Sequence, residues 1–439
     1  MTRRGMLAGS AALCLAGPAG AAAAATDPDP GAMLRRWYRL VLRLVRHTPT
    51  YSPPVASRSF AYLGVAAYEA VASGSAGLVS LAGQLNGLGG LPGREAGKAY
   101  SDAVIMHCVL AGSIRSFFGN TGPTGQRVMD ATERKLKAAA EAGVEPDVLA
   151  RSIAHAEALG AHILEWSQGD GGAVIENMGF PADFPAGGEP SSWVPTSAIR
   201  QQQFPLLPGW GRNRSFAMPD GAACPLPPPP AYSEEPSSAF HREAREVHDT
   251  ARNLTPEQEE IARFWSDDPM LSPTPPGHWI WIALDILDQE NASLARSAEV
   301  LMRLGVAMAD AFIGCWHAKF EYDLLRPVTY IRRLIDPKWE PLLITPPFPE
   351  YPSGHSTQSG AAAAVLESIY GTDFAFTDRT HERDGLKPRR FPGFDAAARE
   401  AAISRLYGGI HFRAAIDRGL EQGRCIGAFA ARLKTRGST

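Results

Sequence analysis

No stretch of this 439-residue chain shows the strict apolar/polar alternation of a half-buried strand, whereas apolar spacing of three and four residues recurs from end to end. The chain is therefore expected to be all-α, as two helical bundles packed together. Leu34, Trp37, Leu40, Val41, Leu44 and Val45 form one face of a helix from Gly31 to Arg46, with Arg35, Arg36, Arg39 and Arg43 opposite. Further helices are expected at Ala56 to Ser73, Arg94 to Phe118, Gly122 to Ala142 and Glu145 to Ser167, which makes residues 26–170 an up-and-down bundle. Residues 171–232 are rich in Gly, Pro and Ser, yet Trp193, Phe204, Trp210 and Phe216 favour an ordered wrap that crosses to the second bundle and covers the site mouth.

The second bundle, within residues 233–439, contains Thr255-Pro-Glu-Gln258, a capping box with Pro at the first helical position. Pro269 and the run Pro273 to Pro276 are expected to force a loop. Helices follow at Gly277 to Leu287, Asn291 to Arg326, Ser356 to Tyr370, Asp395 to Tyr407 and His411 to Leu433.

A net charge of -3 with scattered basic residues gives no nucleic-acid surface. With 45% apolar and 20% charged residues the chain reads as an ordinary soluble globular protein. The most apolar helix, Ala298 to Ala318, is interrupted by Arg303 and Asp310, so no stable membrane insertion is expected. Arg3-Arg4, an apolar stretch to about Ala16 and an alanine run before Thr26 read as a twin-arginine-type signal over residues 1–25, which places the mature protein in the periplasm or outside the cell. Cys108, Cys224, Cys315 and Cys425 are widely spaced, and are expected to be buried thiols without a disulfide framework or a zinc site.

Three segments carry chemistry. In Phe348-Pro-Glu-Tyr-Pro-Ser-Gly-His355, Tyr351-Pro352 reads as extended and Ser353 stands where a helix can start. The open N–H groups there, with Ser353 and Gly354, form an oxyanion cradle, and His355 adds a group that moves protons near neutral pH. Lys319 and Arg326 stand seven residues apart and, on one continuous helix, would point the same way. Ser404-Arg405 and His411 flank the break at Gly408-Gly409 and add a second guanidinium and a second imidazole. Capping, solvated cations and satisfied core histidines account for each segment taken alone. Together they describe a site for a tetrahedral oxoanion.

Lys319-x6-Arg-Pro, Pro-Ser-Gly-His355 and Ser-Arg405-x5-His411 together resemble the three-part signature of the vanadium-dependent haloperoxidases and type 2 phosphatidic acid phosphatases. Trp316 and Phe348 resemble the haloperoxidase branch in its chloroperoxidase form. The resemblance implies tandem helical bundles with the site in the second one. It also implies vanadate held by Lys319, Arg326, Ser353, Gly354 and Arg405, with His411 bound to the metal and His355 as acid/base. Hydrogen peroxide and halide would be the substrates and hypohalous acid the product; a small organic acceptor and a homodimer are left open. Asp267 or Asp268 would orient His355, because the family carries an Asp at a similar place before Thr-Pro-Pro. The family's Asp four residues after the last histidine is replaced by Ala415, so a backbone carbonyl or Asp417 would orient His411. The same pocket could instead hold phosphate, as an exported acid phosphatase working through a phosphohistidine, or bind an oxoanion without turnover.

Overall fold

The computed structural model describes residues 29–437 except 176–178, 186, 198, 200 and 201. The export-signal reading concerns residues 1–25 and lies outside the described residues. The first half holds α1 (Pro30–Arg46), α2 (Pro53–Ala72), α3 (Asp102–Phe117), α4 (Pro123–Glu141), α5 (Pro146–Gln168) and the single turn α6 (Gly172–Ile175). The second holds α7 (Ala239–Arg252), α8 (Pro256–Phe264), α9 (Thr274–Gln289), α10 (Leu294–Tyr322), α11 (Pro327–Leu334), α12 (Gly354–Tyr370), α13 (Phe394–Tyr407) and α14 (Arg413–Ala431). Prolines open many of these helices, where a missing N–H costs nothing. The Thr255 capping box forms as expected, with both reciprocal bonds present.

The two bundles are joined along α10, which packs on α2 of the first and on α12 and α14 of the second. Two glycines allow the α2 crossing to be close. A Cβ at Gly64 would lie 2.8 Å from Met302 Cα, and one at Gly305 would lie 2.8 Å from the Phe60 carbonyl oxygen. The buried apolar residues form one continuous cluster through both halves, so the second bundle's site stands on a core that both supply.

The described residues of the connecting segment form an ordered wrap. Asp310 of α10 accepts the backbone N–H groups of Phe216, Ala217 and Met218 at 2.6, 2.8 and 3.0 Å. Leu206 donates its N–H to Pro347, and its own carbonyl accepts the Trp316 indole N–H. Cys224 is joined by a disulfide to Cys425 of α14, which corrects the expectation of free thiols; the partners are 201 residues apart, so local spacing carries no sign of the pair. Cys108 and Cys315 are free.

Other expectations also change. Residues 94–101 are irregular and α3 starts at Asp102. The prolines at 275 and 276 open α9 from Thr274 instead of extending a loop. The helix expected to run through Arg326 stops at Tyr322, where Asp323 takes a left-handed conformation (φ 43°). Pro327 bars Arg326 from the α region, and Arg326 becomes the extended residue before α11. A two-stranded antiparallel ribbon, β1 (Phe376–Asp378) with β2 (Arg389–Phe391), was not expected, because three residues are too few to show alternation.

Candidate active site

Four chain segments meet around one buried group of polar side chains. α10 brings Trp316 and Lys319 from its last turns, and the break after it brings Arg326. Residues 348–353 lead into α12 with Ser353 as N-cap, whose hydroxyl accepts the Ser356 N–H at 3.3 Å. The Gly354 N–H, first in α12, is open by position. α13 brings Arg405, and the turn after it brings His411. Lys319, Arg326, Ser353, Arg405 and His411 are all buried.

His411 Nε2 lies 3.2 Å from Arg326 Nη1, and its Nδ1 lies 2.8 Å from Glu350 Oε1. The same Oε1 accepts the Phe412 N–H at 2.8 Å, and because a guanidinium can only donate, Nε2 accepts from Arg326 and Nδ1 carries the ring proton. Nε2 is therefore unprotonated, and its lone pair accepts from Arg326. Burial, and then Arg326, Lys319 and Arg405, hold the His411 pKa well below the ordinary imidazole value. Burial pushes Glu350 up to about 8, against the pull of Arg326 and Lys319.

Three buried polar nitrogens in this group have no partner: Arg326 Nη2, Arg405 Nε and His355 Nε2. Arg326 spends its other donors on the Phe348 and Ile410 carbonyls, and Arg405 donates from Nη1 to the Trp265 carbonyl. Donors of this kind buried without acceptors cost free energy unless an anion completes them. A tetrahedral oxoanion fits this donor set. Lys319 behaves differently from the expectation that it donates to the anion. Its Nζ donates to the Pro349, Glu350 and Pro352 carbonyls at 2.8, 2.9 and 2.5 Å, so it holds the 349–352 turn and contributes charge. Burial, with Arg326 adding to it, lowers its pKa to about 7. Phe348 covers both cations, with Lys319 Nζ 5.2 Å and the Arg326 guanidinium 5.0 Å from its ring centre, and Trp316 packs on it at 4.9 Å.

A family model described as the second helical-bundle domain of VCPO matches residues 299–338 and 333–437. A solved bacterial vanadium-dependent iodoperoxidase is 38% identical, with 93% of this chain and 97% of that one covered at a TM-score of 0.84. The chain belongs to the vanadium-dependent haloperoxidase family. Within that family, the vanadium-dependent bromoperoxidase of Ascophyllum nodosum is 36% identical over 94 residues, 19% of this chain and 17% of that protein. The vanadium chloroperoxidase of Curvularia inaequalis is 33% identical over 95 residues, 18% of this chain and 15% of that protein. The matched segment thus spans about a sixth of the length of these curated relatives. A bacterial vanadium-dependent chloroperoxidase at 18% identity, with 89% of this chain covered and a TM-score of 0.67, shares the fold.

Two orienting assignments for this haloperoxidase site need correction. His355 is neither oriented by Asp267 nor by Asp268: its hydrogen bond goes to the Ser266 backbone. Asp267 places both oxygens 3.0 Å from His278 Nδ1, and Asp268 is partly exposed beside Arg405. His411 is oriented by Glu350, not by a backbone carbonyl or by Asp417, which is exposed on α14. The sequence signal for Glu350 was present, since an acid placed between Phe348 and Ser353 travels with the cradle. Glu350 lies 61 residues upstream of His411, and only the fold brings the two together.

Proposed function

We propose that the protein is a vanadate-dependent haloperoxidase, catalysing H2O2 + X− + H+ → HOX + H2O or delivering an equivalent halogenating species. The observation that carries this reading is the pair of unpartnered buried guanidinium donors on Arg326 and Arg405, with the unpartnered His355 Nε2, gathered beside the unprotonated Nε2 of His411. His411 Nε2 would bind the metal, with Glu350 fixing its tautomer. Arg326, Arg405, the Ser353 hydroxyl and the Gly354 N–H would hold the oxygens. When bound, vanadate supplies the Lewis acidity that activates hydrogen peroxide toward halide. His355, kept neutral by burial and then by Arg405, has an open Nε2 that can take the proton of incoming peroxide. Phe348 and Trp316 exclude water from the cation face.

Iodide is the halide we expect to be turned over best. It is the most easily oxidised of the three, and the 38% identical relative is described as an iodoperoxidase. Export is proposed as well: the Cys224 to Cys425 disulfide suits an oxidising compartment, as the arginine pair near the N-terminus does. No described helix is long and apolar enough to cross a membrane.

Protein loaded with orthovanadate should oxidise iodide, and less readily bromide, in the presence of hydrogen peroxide. Phosphate should compete with loading, and His411→Ala should abolish turnover. Hydrolysis of a phosphomonoester without peroxide-dependent halide oxidation after loading would move the assignment to the phosphatase branch.

A further inference from the structure

Behind the pocket, on the far side of the Trp265-Ser266 backbone, lies a second polar cluster that the reaction does not use. Asp267, His278 of α9 and His381 each offer one ligand-type atom within 4.8 Å of the others, and they are 3%, 0% and 5% exposed. The outer nitrogen of each imidazole is held by a further carboxylate. His278 Nε2 lies 2.7 Å from Asp378 Oδ2, and His381 Nδ1 lies 3.2 Å from Asp384 Oδ2. The inner nitrogens converge on Asp267, with His278 Nδ1 at 3.0 Å and His381 Nε2 at 3.3 Å from Oδ1. Carboxylates on the outer nitrogens, with the inner ones aimed at a shared point, are how proteins hold histidines that ligate a metal.

Charge balance poses the question more sharply. Asp267 and Asp378 are both buried, and among the described residues no Lys or Arg makes an ion pair with either. Two imidazole protons or one divalent cation would neutralise them. In the empty site His278 already bonds a carboxylate through each nitrogen, so a cation would displace the proton on Nδ1, and the alignment of His381 is what favours the cation. Its Nε2 is buried 3.3 Å from Asp267 Oδ1 but off the line of a well-aligned hydrogen bond. A ring N–H would turn onto that oxygen, whereas a lone pair aimed beside it suits a cation lying between the two.

We propose that Asp267, His278 and His381 bind a divalent cation of the zinc class, at a site separate from vanadate at His411. Two imidazoles and a carboxylate suit zinc, with the second Asp267 oxygen or water completing the coordination. Bonds of about 2.1 Å require the outermost ligand atoms to lie within about 4.2 Å. His381 sits in the loop closed by the turn Glu382–Asp384 and can supply that closure. The Asp384 side chain, which also pairs with Arg46, is 25% exposed.

The ion would act on the pocket through the backbone. The Trp265 ring stacks on His278 at 4.4 Å, the Trp265 carbonyl holds Arg405, and the Ser266 backbone holds His355. His278 and Asp267 are thus positioning residues for the two pocket groups that lie nearest the Trp265-Ser266 turn.

The test uses the full-length protein without vanadate. After equilibration with zinc and removal of the excess, metal analysis should give about one zinc per chain. Cobalt in its place should give the visible absorption of an imidazole-ligated ion. His411→Ala should retain the zinc, and His381→Ala should weaken its affinity by about 100-fold. Folded wild-type protein with no zinc above the buffer blank, and no cobalt spectrum, would overturn the proposal and leave a protonated histidine network. Zinc lost in His411→Ala, or retained undiminished in a folded His381→Ala, would also overturn it. None of these readouts involves halide oxidation, so they stand or fall apart from the haloperoxidase assignment.

Discussion

Two buried arginines, one in each bundle, show what separates a structural ion pair from a site. Arg58 of α2 faces Asp170 with Nε to Oδ2 at 2.6 Å and Nη2 to Oδ1 at 3.3 Å, and the Tyr62 hydroxyl donates to the same carboxylate. Its charge is neutralised within the fold. Arg326 is just as buried but meets carbonyls and an imidazole, and it keeps Nη2 unpartnered. Arg405 repeats the pattern with Nε. A cation buried against dipoles, with its counter-ion left out, has paid the desolvation penalty in advance for an anion still to come.

The sharpest test of that contrast removes each charge in turn. Arg326→Met should weaken oxoanion binding by about 3 kcal/mol, roughly 100-fold, while leaving the stability of the empty protein unchanged or raised. Arg58→Met should leave affinity alone and destabilise the fold by about 3–5 kcal/mol, because Asp170 would be stranded. Equilibrium unfolding and oxoanion titration on both variants would measure this. Equal destabilisation with affinity retained would break the comparison.

Next in size is Glu350. Glu350→Gln can offer an N–H to His411 Nδ1 and so move the ring proton to Nε2, where the metal must bind. A loss of about 10–100-fold in vanadate affinity is expected. Tritration of the His411 ring nitrogens by NMR in the empty protein should show the tautomer change directly.

A smaller effect comes from Lys319. Its pKa in the empty pocket is lowered to about 7, so the charge is present below that pH and lost above it. His411, held well below the ordinary value, stays neutral through the same range. Oxoanion affinity should therefore fall as pH rises through about 7, by up to about tenfold per pH unit. Lys319→Met, titrated alongside, removes the anion's own protonation from the comparison and should show a flatter profile.

The pocket's members were legible because each stands at a local break that sequence announces: Ser353 at a helix start, Arg326 before a proline, His411 after paired glycines. Helix existence was legible for the same reason, through spacing and caps. What was not legible depends on chain brought together from afar. The Cys224 to Cys425 disulfide, the Asp267, His278 and Asp378 cluster and the pairing of β1 with β2 all have partners that only the fold makes neighbours. The route by which Lys319 and Arg326 converge was also misjudged. One helix was expected to carry both, but Pro327 ends it, and the left-handed Asp323 turns the chain so that Arg326 approaches Phe348 from a different side.

The smallest predicted effect separates the two acids that sequence offered as partners for His411. Asp417 lies six residues past the histidine and is exposed on α14, where Arg413 and Arg418 lie in its field. Asp417→Asn should therefore change stability by no more than about 0.5 kcal/mol, as surface substitutions do, and leave turnover within about twofold. A loss as large as that of Glu350→Gln would mean that α14 begins late enough in the working enzyme to bring Asp417 inward, and that Glu350 carries the proton instead of accepting it. The contact with Arg326 argues against that arrangement. A guanidinium can only donate, so His411 Nε2 accepts from Arg326 Nη1 at 3.2 Å, and the proton of the neutral ring is on Nδ1, 2.8 Å from Glu350 Oε1.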